Sequence, residues 1–180
     1  MRTTILLLGS FAATALAQDF PREFVRAPAF ELTSDGGGPV RLSDMKGSIV
    51  VLFFFRHGCP ACAASHPAMQ RALAEPAEKS VRVLAIDVDG IRRPTPARGA
   101  RRLREELGER LEVASADEES LVLYGKVMGR EQIPGTPTFF VVDRDGFVYS
   151  STAGTIEADE LMASIEFLYG VDRYRPEAWK

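Results

Sequence analysis

The chain has 180 residues, 46% of them hydrophobic and 26% charged, with a formal net charge of -3. That suffices for one domain with a well-buried core, and the balance is ordinary for a soluble globular protein. So small a negative charge gives no indication of nucleic acid or anionic membrane as the main partner.

At the N-terminus, Arg2 supplies a short positive region and Ile5-Leu6-Leu7-Leu8 opens an apolar stretch that runs to Leu16. Ala15-Leu16-Ala17 then places small residues where a signal peptidase reads. Residues 1–17 are expected to be a signal peptide, cleaved to leave Gln18 first. The apolar stretch is short against the ~20 residues of a spanning helix. No cysteine follows the cleavage site, which argues against a lipid anchor, and no later segment approaches spanning length. The mature protein is therefore expected to be soluble outside the cytoplasm, periplasmic or secreted. Residues 18–26 read as a leader, 27–170 as one domain and 171–180 as a C-terminal tail that can dock through Tyr174 or Trp179.

Phe30-Glu31-Leu32-Thr33 alternates like a short strand, Gly36-Gly37-Gly38-Pro39 forces a turn, and Val40-Arg41-Leu42 alternates again. Ile49 to Phe55 is a continuous apolar, β-branched and aromatic run, which predicts a strand buried on both faces. Pro60 suits the first turn of a helix running to about Leu73. Val81 to Ile86 reads as a second buried strand, Arg98 to Leu111 as a helix and Leu121 to Val127 as a short helix. Phe139 to Val142 is a third strand, joined through Asp145-Gly146 to a fourth, Phe147 to Ser151. Glu157 to Tyr169 closes with a helix that puts Leu161, Ile165 and Leu168 on one face. Strands separated by helices, followed by a hairpin, predict an α/β fold: a mixed sheet with helices on both faces and an N-terminal hairpin extension.

The chain's two cysteines are Cys59 and Cys62. A bridge between positions i and i+3 closes almost no loop, so it constrains the unfolded chain little, and a staple is the weaker reading. The spacing suits reversible redox chemistry or metal binding. Directly after a buried strand, Cys59 falls at a helix N-terminus, where unpaired N–H groups and the macrodipole favour a thiolate. Cys62 lies one turn on, towards the buried side. Cys59 is therefore expected to be the exposed nucleophile and Cys62 the resolving thiol.

From Phe30 through Gly154 the chain resembles the thioredoxin superfamily, specifically the TlpA-like exported disulfide reductases. The resemblance rests on Ala27-Pro28-Ala29-Phe30-Glu31-Leu32, Leu42-Ser43-Asp44-Met45-Lys46-Gly47, the strand–Cys59-Pro60-Ala61-Cys62–helix unit and Thr136-Pro137-Thr138-Phe139-Phe140-Val141-Val142-Asp143. It implies a thioredoxin fold, with Pro137 as the cis-proline that packs near the disulfide and presents backbone to the substrate, and with Thr136, Gly58 and Pro60 flanking that contact. Pro67 matches the proline that kinks the first helix. No cofactor is implied beyond the Cys59–Cys62 disulfide, and no metal. The implied partners are a disulfide-containing protein substrate and a membrane-bound electron donor, with the chain itself a monomer.

Three departures from the family pattern stand out. Gly58 replaces the usual tryptophan, Phe53 stands where thioredoxin has a buried aspartate, and Ser65 replaces a glutamate common in TlpA-like relatives. The usual proton acceptor for the resolving thiol is thus missing. His66, one turn beyond Cys62, can fill that role, against the plainer reading of a histidine hydrogen-bonded in the core. His57 reads as an exposed loop residue adding positive potential near the thiolate. Arg92, Arg93, Arg98, Arg101, Arg102 and Arg104 form either a docking patch for an acidic partner or, more commonly for such runs, a solvated face paired with Glu105, Glu106 and Glu109.

Two other functions compete. A peroxiredoxin-like peroxidase is the first, because Phe55-Arg56-His57-Gly58-Cys59-Pro60-Ala61-Cys62 also resembles the wider alkyl hydroperoxide reductase/redoxin group, yet Arg56 stands where such enzymes carry Thr or Ser. A Cu(I)-binding metallochaperone could use the two thiolates with His57 or His66.

Overall fold

The computed structural model describes residues 25–92 and 97–172. The expected signal peptide, most of the leader, Arg93, and the tail with Tyr174 and Trp179 lie outside these residues, as does the side chain of Arg98.

Seven strands form one mixed sheet: β1 (Glu31–Ser34), β2 (Pro39–Arg41), β3 (Ile49–Phe55), β4 (Val81–Asp87), β5 (Glu112–Ser115), β6 (Thr138–Val142) and β7 (Val148–Ala153), in the order β2-β1-β5-β4-β3-β6-β7. Strand β3 pairs parallel with β4, in register from Ile49 with Val81 to Phe55 with Asp87. On its other side β3 runs antiparallel to β6, with Phe53 opposite Phe139. All seven β3 residues are buried, as an unbroken apolar run requires of a strand covered on both faces.

Alternate β3 residues serve two separate cores. Ile49, Val51, Phe53 and Phe55 face α2 (His66–Leu73), α3 (Ala97–Leu107) and α5 (Ala158–Asp172), meeting Met69, Leu103, Leu161 and Ile165. Val50, Leu52 and Phe54 face α4 (Glu118–Val127) and the 3-10 turn Leu42–Met45, meeting Tyr124 and Met45. Rings pack on both faces of the sheet. Phe53 stacks on Phe139 at 4.9 Å between centroids, and Tyr124 meets Phe54 at 5.4 Å and Phe140 at 4.9 Å. Burial pushes the Tyr124 phenol well above its ordinary value, and its hydroxyl donates to the Pro28 carbonyl at 3.0 Å.

The helix after β3 breaks where Pro67 predicts. It divides into α1 (Pro60–Ala64) and α2, with Ser65 between them at φ -90°, ψ -2°. Pro67 has no N–H to give the carbonyl of the preceding turn, so the ladder cannot run through.

Several boundaries differ from the sequence reading. The helix expected to reach Leu111 stops at Leu107, because Gly108 takes φ +130° and reverses the chain. The residues after it form β5, a strand the periodicity did not suggest: four residues are too few to show an alternation. Strand β5 lies parallel to β4 and antiparallel to β1, with Thr33 opposite Ser115. The N-terminal hairpin is therefore built into the main sheet. Helix α4 begins three residues before the expected Leu121, under a capping box in which Asp117 accepts from the Ser120 amide at 2.7 Å. Among the described residues no helix is long and apolar enough to cross a membrane.

Candidate active site

Strand β3 ends at Phe55, and three residues later the chain turns into α1. The turn passes through Gly58 at φ +72°, a left-handed conformation with open space where a Cβ would stand. Only glycine adopts it without strain, which gives a backbone reason for the absence of a bulky side chain there. Cys59 is the N-cap of α1 and Pro60 its first residue, where a fixed φ suits the helix and a missing N–H is not needed.

Cys59 and Cys62 are joined in a disulfide with their Cα atoms 5.2 Å apart. The Cys62 amide donates to Cys59 Sγ at 3.1 Å, so the first helical turn already directs an N–H at that sulfur. Cys59 is partly exposed, whereas Cys62 is 2% exposed and sits in the core with Phe53 and Phe55. The asymmetry expected from the spacing is present: one sulfur is open to a partner and one is covered.

The opposite wall comes from the segment before β6. Thr136–Pro137 is a cis peptide bond, as the resemblance implies, and Pro137 is buried. The Thr136 carbonyl oxygen and hydroxyl each lie 3.8 Å from Cys59 Sγ. This segment is anchored on both sides: the Thr138 hydroxyl donates to Gly135 O at 2.8 Å and the Gly154 amide donates to Pro137 O at 2.9 Å. Thr136 also borders a groove lined by Val88, Ile91, Leu121 and Val122, in which Ile91 and Val122 are exposed.

On the other side of the disulfide, one cavity is lined by Gly58, Cys59, Pro60, Cys62, His57, His66, Arg102 and Glu106, among others. Both histidines of the chain border it, and each is backed by a carboxylate from a different element. His57 is exposed as expected, yet its Nε2 lies 3.5 Å from Oδ2 of the buried Asp87 at the end of β4, and its ring meets Phe55 edge-on. Gly99 of α3 packs against that ring, where an added Cβ would stand 3.0 Å from Cε1. His66 is 13% exposed, with Nδ1 2.6 Å from Oε1 of Glu106 on α3.

Ser65, standing where relatives carry glutamate, is fully buried and engaged: its hydroxyl donates to Ala61 O at 3.4 Å and accepts from the Ile156 amide at 3.1 Å. It ties the break between α1 and α2 to the segment that leads into α5. Phe53, at the thioredoxin aspartate position, is fully buried between Phe139 and Phe55. Within the arginine cluster Arg101 and Arg102 are exposed, as on a solvated face, but Arg104 takes a different partner. Arg104 grips Asp35 with two bonds of 2.7 and 2.6 Å instead of a glutamate of its own helix, and Glu106 turns to His66. The Arg104 guanidinium holds the Asp35 carboxyl below the usual carboxylate range.

The structure brings Gly58, Cys59, Pro60, Cys62 and His66 to one cavity and sets Thr136 against Cys59 outside it, while sequence reasoning missed Glu106 and Asp87 as histidine partners. Glu106 lies 40 residues from His66, and no local pattern links them. Among the described residues, no group of three or more His, Cys, Asp and Glu side chains stands together as a metal site.

This sheet order, with a Cys-x-x-Cys disulfide capping the helix after the central strand and a cis-proline opposite, defines a thioredoxin-superfamily thiol–disulfide oxidoreductase. The chain belongs to the AhpC/TSA family, whose sequence profile matches residues 25–151. It is 27% identical over 135 residues to the thiol-disulfide oxidoreductase ResA of Bacillus thuringiensis (strain Al Hakam), covering 75% of this chain and 72% of that one. It is 25% identical over 173 residues to ResA of Geobacillus kaustophilus (strain HTA426), covering 92% and 93%. Among solved structures it shares the fold of a thiol:disulfide interchange protein of the thioredoxin family from Chlorobium tepidum TLS. That match has a TM-score of 0.68 at 22% identity and covers 81% of this chain and 97% of that one.

Proposed function

We propose that this chain is an exported reductase of protein disulfides, with Cys59 as the attacking sulfur and Cys62 as the resolving one. The observation that carries the reading is the contrast between a partly exposed Cys59 facing Thr136 and a Cys62 buried behind it. In the reduced protein the Cys59 thiolate, favoured by the first-turn amides of α1, attacks one sulfur of a substrate disulfide. A Cys59–substrate bond forms, the substrate S–S bond breaks, and the displaced substrate sulfur leaves as a thiolate that takes up a proton. Cys62 then loses its proton and attacks Cys59 Sγ. The Cys59–Cys62 bond forms and the second substrate sulfur departs, so the substrate gains two electrons and two protons. Pro137 holds the Thr136 backbone beside Cys59, where an extended substrate segment can lie across it, while Gly58 and Pro60 leave that sulfur open.

Export is supported by the N-terminal sequence pattern, and an exported reductase in an oxidising compartment needs re-reduction by a membrane-bound electron donor. The names of the relatives, thiol-disulfide oxidoreductases, support exchange with disulfides over the peroxidase and copper readings.

The test is the equilibrium potential of the Cys59–Cys62 pair, measured in a dithiothreitol series by alkylation. A value near ~-270 mV supports a reductase charged by a dedicated donor, and one near ~-120 mV makes the protein a disulfide donor instead. Turnover of peroxide with no disulfide substrate would replace the reading with a peroxidase.

A further inference from the structure

In the exchange proposed above, the second step needs a base. Cys62 is buried and must surrender its proton before it can attack Cys59. Ser65 cannot act as that base, because its hydroxyl is held between Ala61 O and the Ile156 amide, and a neutral hydroxyl does not take a proton near pH 7. Phe53 offers no acceptor at all.

The cavity beside the disulfide supplies one. It is lined by Cys62 and, four residues on, by His66, whose Nδ1 rests on Oε1 of Glu106 at 2.6 Å. An Nδ1–H donated to that carboxylate fixes the ring's orientation and leaves Nε2 with its lone pair free to take a proton. Glu106 is itself fixed from two directions. It belongs to α3, and its backbone carbonyl accepts from Gln70 Nε2 of α2 at 2.7 Å, which ties the two helices together beside the histidine. Among the described residues lining the cavity, Glu106 is the single carboxylate; the other charged or titratable groups there are Arg56, His57 and Arg102. His57 is turned to Asp87 and Arg56 to Asp89, at 3.5 and 3.1 Å.

We propose that His66, oriented by Glu106, accepts the Cys62 proton and returns it to the departing substrate thiolate. Glu106 is the positioning residue, and α3 thereby completes a proton relay that begins on α2. The proton passes from Cys62 Sγ to His66 Nε2 across the cavity that both line. The Cys62 thiolate displaces the substrate sulfur from Cys59, and the imidazolium protonates that leaving thiolate. No net proton or electron is consumed beyond those of the exchange itself.

This rests on the assignment of Cys59 and Cys62, so the experiment separates the two steps. The reduced full chain is mixed with Ellman's reagent, and the two releases of thionitrobenzoate are followed by stopped flow. The first reports attack by Cys59, the second resolution by Cys62. His66→Ala is expected to leave the first within about twofold and to slow the second at least about tenfold, with added imidazole restoring much of the loss. Glu106→Gln is expected to slow the second phase less and to alter its dependence on pH between 5.5 and 8, while Glu106→Asp retains most of the rate. An unchanged second phase in His66→Ala, or a slowed one that imidazole does not restore and whose pH profile matches the parent, overturns the relay. His66→Gln, which can still hydrogen-bond Glu106, supplies the same readings should the alanine variant not fold. Absence of the first phase in the parent protein instead overturns the assignment of Cys59.

Discussion

A single methyl group added to Gly125 should disturb the site from the far side of the sheet. Gly125 lies in α4 where the backbone of Gln132 crosses the helix. An alanine Cβ would stand 2.1 Å from the Gln132 carbonyl carbon and 2.2 Å from its Cα. Such contacts need at least 3.0 Å, so the 132 backbone must retreat by about 1 Å, a form of overpacking. Retreat is opposed by the bonds that seat this segment: Arg130 N to Gly125 O at 2.9 Å and Ile133 N to Leu121 O at 3.0 Å, with the Ile133 side chain buried below. Overpacking of this kind costs about 1–3 kcal/mol and a lost backbone bond about 1 more. Gly125→Ala should therefore destabilise the oxidised protein by about 2–4 kcal/mol and lower its melting temperature by roughly 10 °C. The segment leads through Gly135 to Thr136, so a displacement of this size should also slow exchange at Cys59 by about tenfold. Urea unfolding by circular dichroism and the first thionitrobenzoate release measure the two effects. An unchanged midpoint with an unchanged rate would refute the reasoning.

Other substitutions test separate parts of the structure. Gly58→Ala meets nothing within 4 Å, so its cost is the left-handed backbone alone, about 1–2 kcal/mol in urea unfolding of the oxidised protein. No loss of stability would mean that the turn into α1 is not held at positive φ. The Asp35–Arg104 pair predicts a pH dependence. Because the Arg104 hydrogen bonds lower the folded-state value of Asp35, its stabilisation is complete above the unfolded value of about 3.9 and is lost as pH falls through the folded-state value. Asp35→Asn should cost about 1 kcal/mol at pH 7 and progressively less below about pH 4, and a difference constant from pH 7 to pH 2 would contradict the assignment.

The sequence made the centre of this fold legible because the centre is written in local signals. Ile49 to Phe55 can only be a strand covered twice, Pro60 opens a helix, Pro67 breaks it, and the residues around Pro137 match a pattern whose cis bond is present. What stayed hidden depends on pairing between distant segments. Strand β5 is four residues long and becomes a strand only because β4 and β1 flank it. Glu106 and Arg104 looked like neighbours in one charged helix face, yet each reaches away to another element, His66 and Asp35. Other boundaries do carry local signals: Gly108 marks the end of α3, and Asp117 with Ser120 marks the start of α4.

The most direct test of the central assignment is to expose Cys62→Ser and Cys59→Ser variants, each reduced, to a disulfide-bonded protein substrate and to separate the products without reductant. Cys62→Ser is expected to accumulate a mixed disulfide through Cys59, because the attacking sulfur is present and nothing resolves it, while Cys59→Ser forms none. A mixed disulfide that forms equally well in Cys59→Ser would contradict the division of roles between the exposed and the buried sulfur.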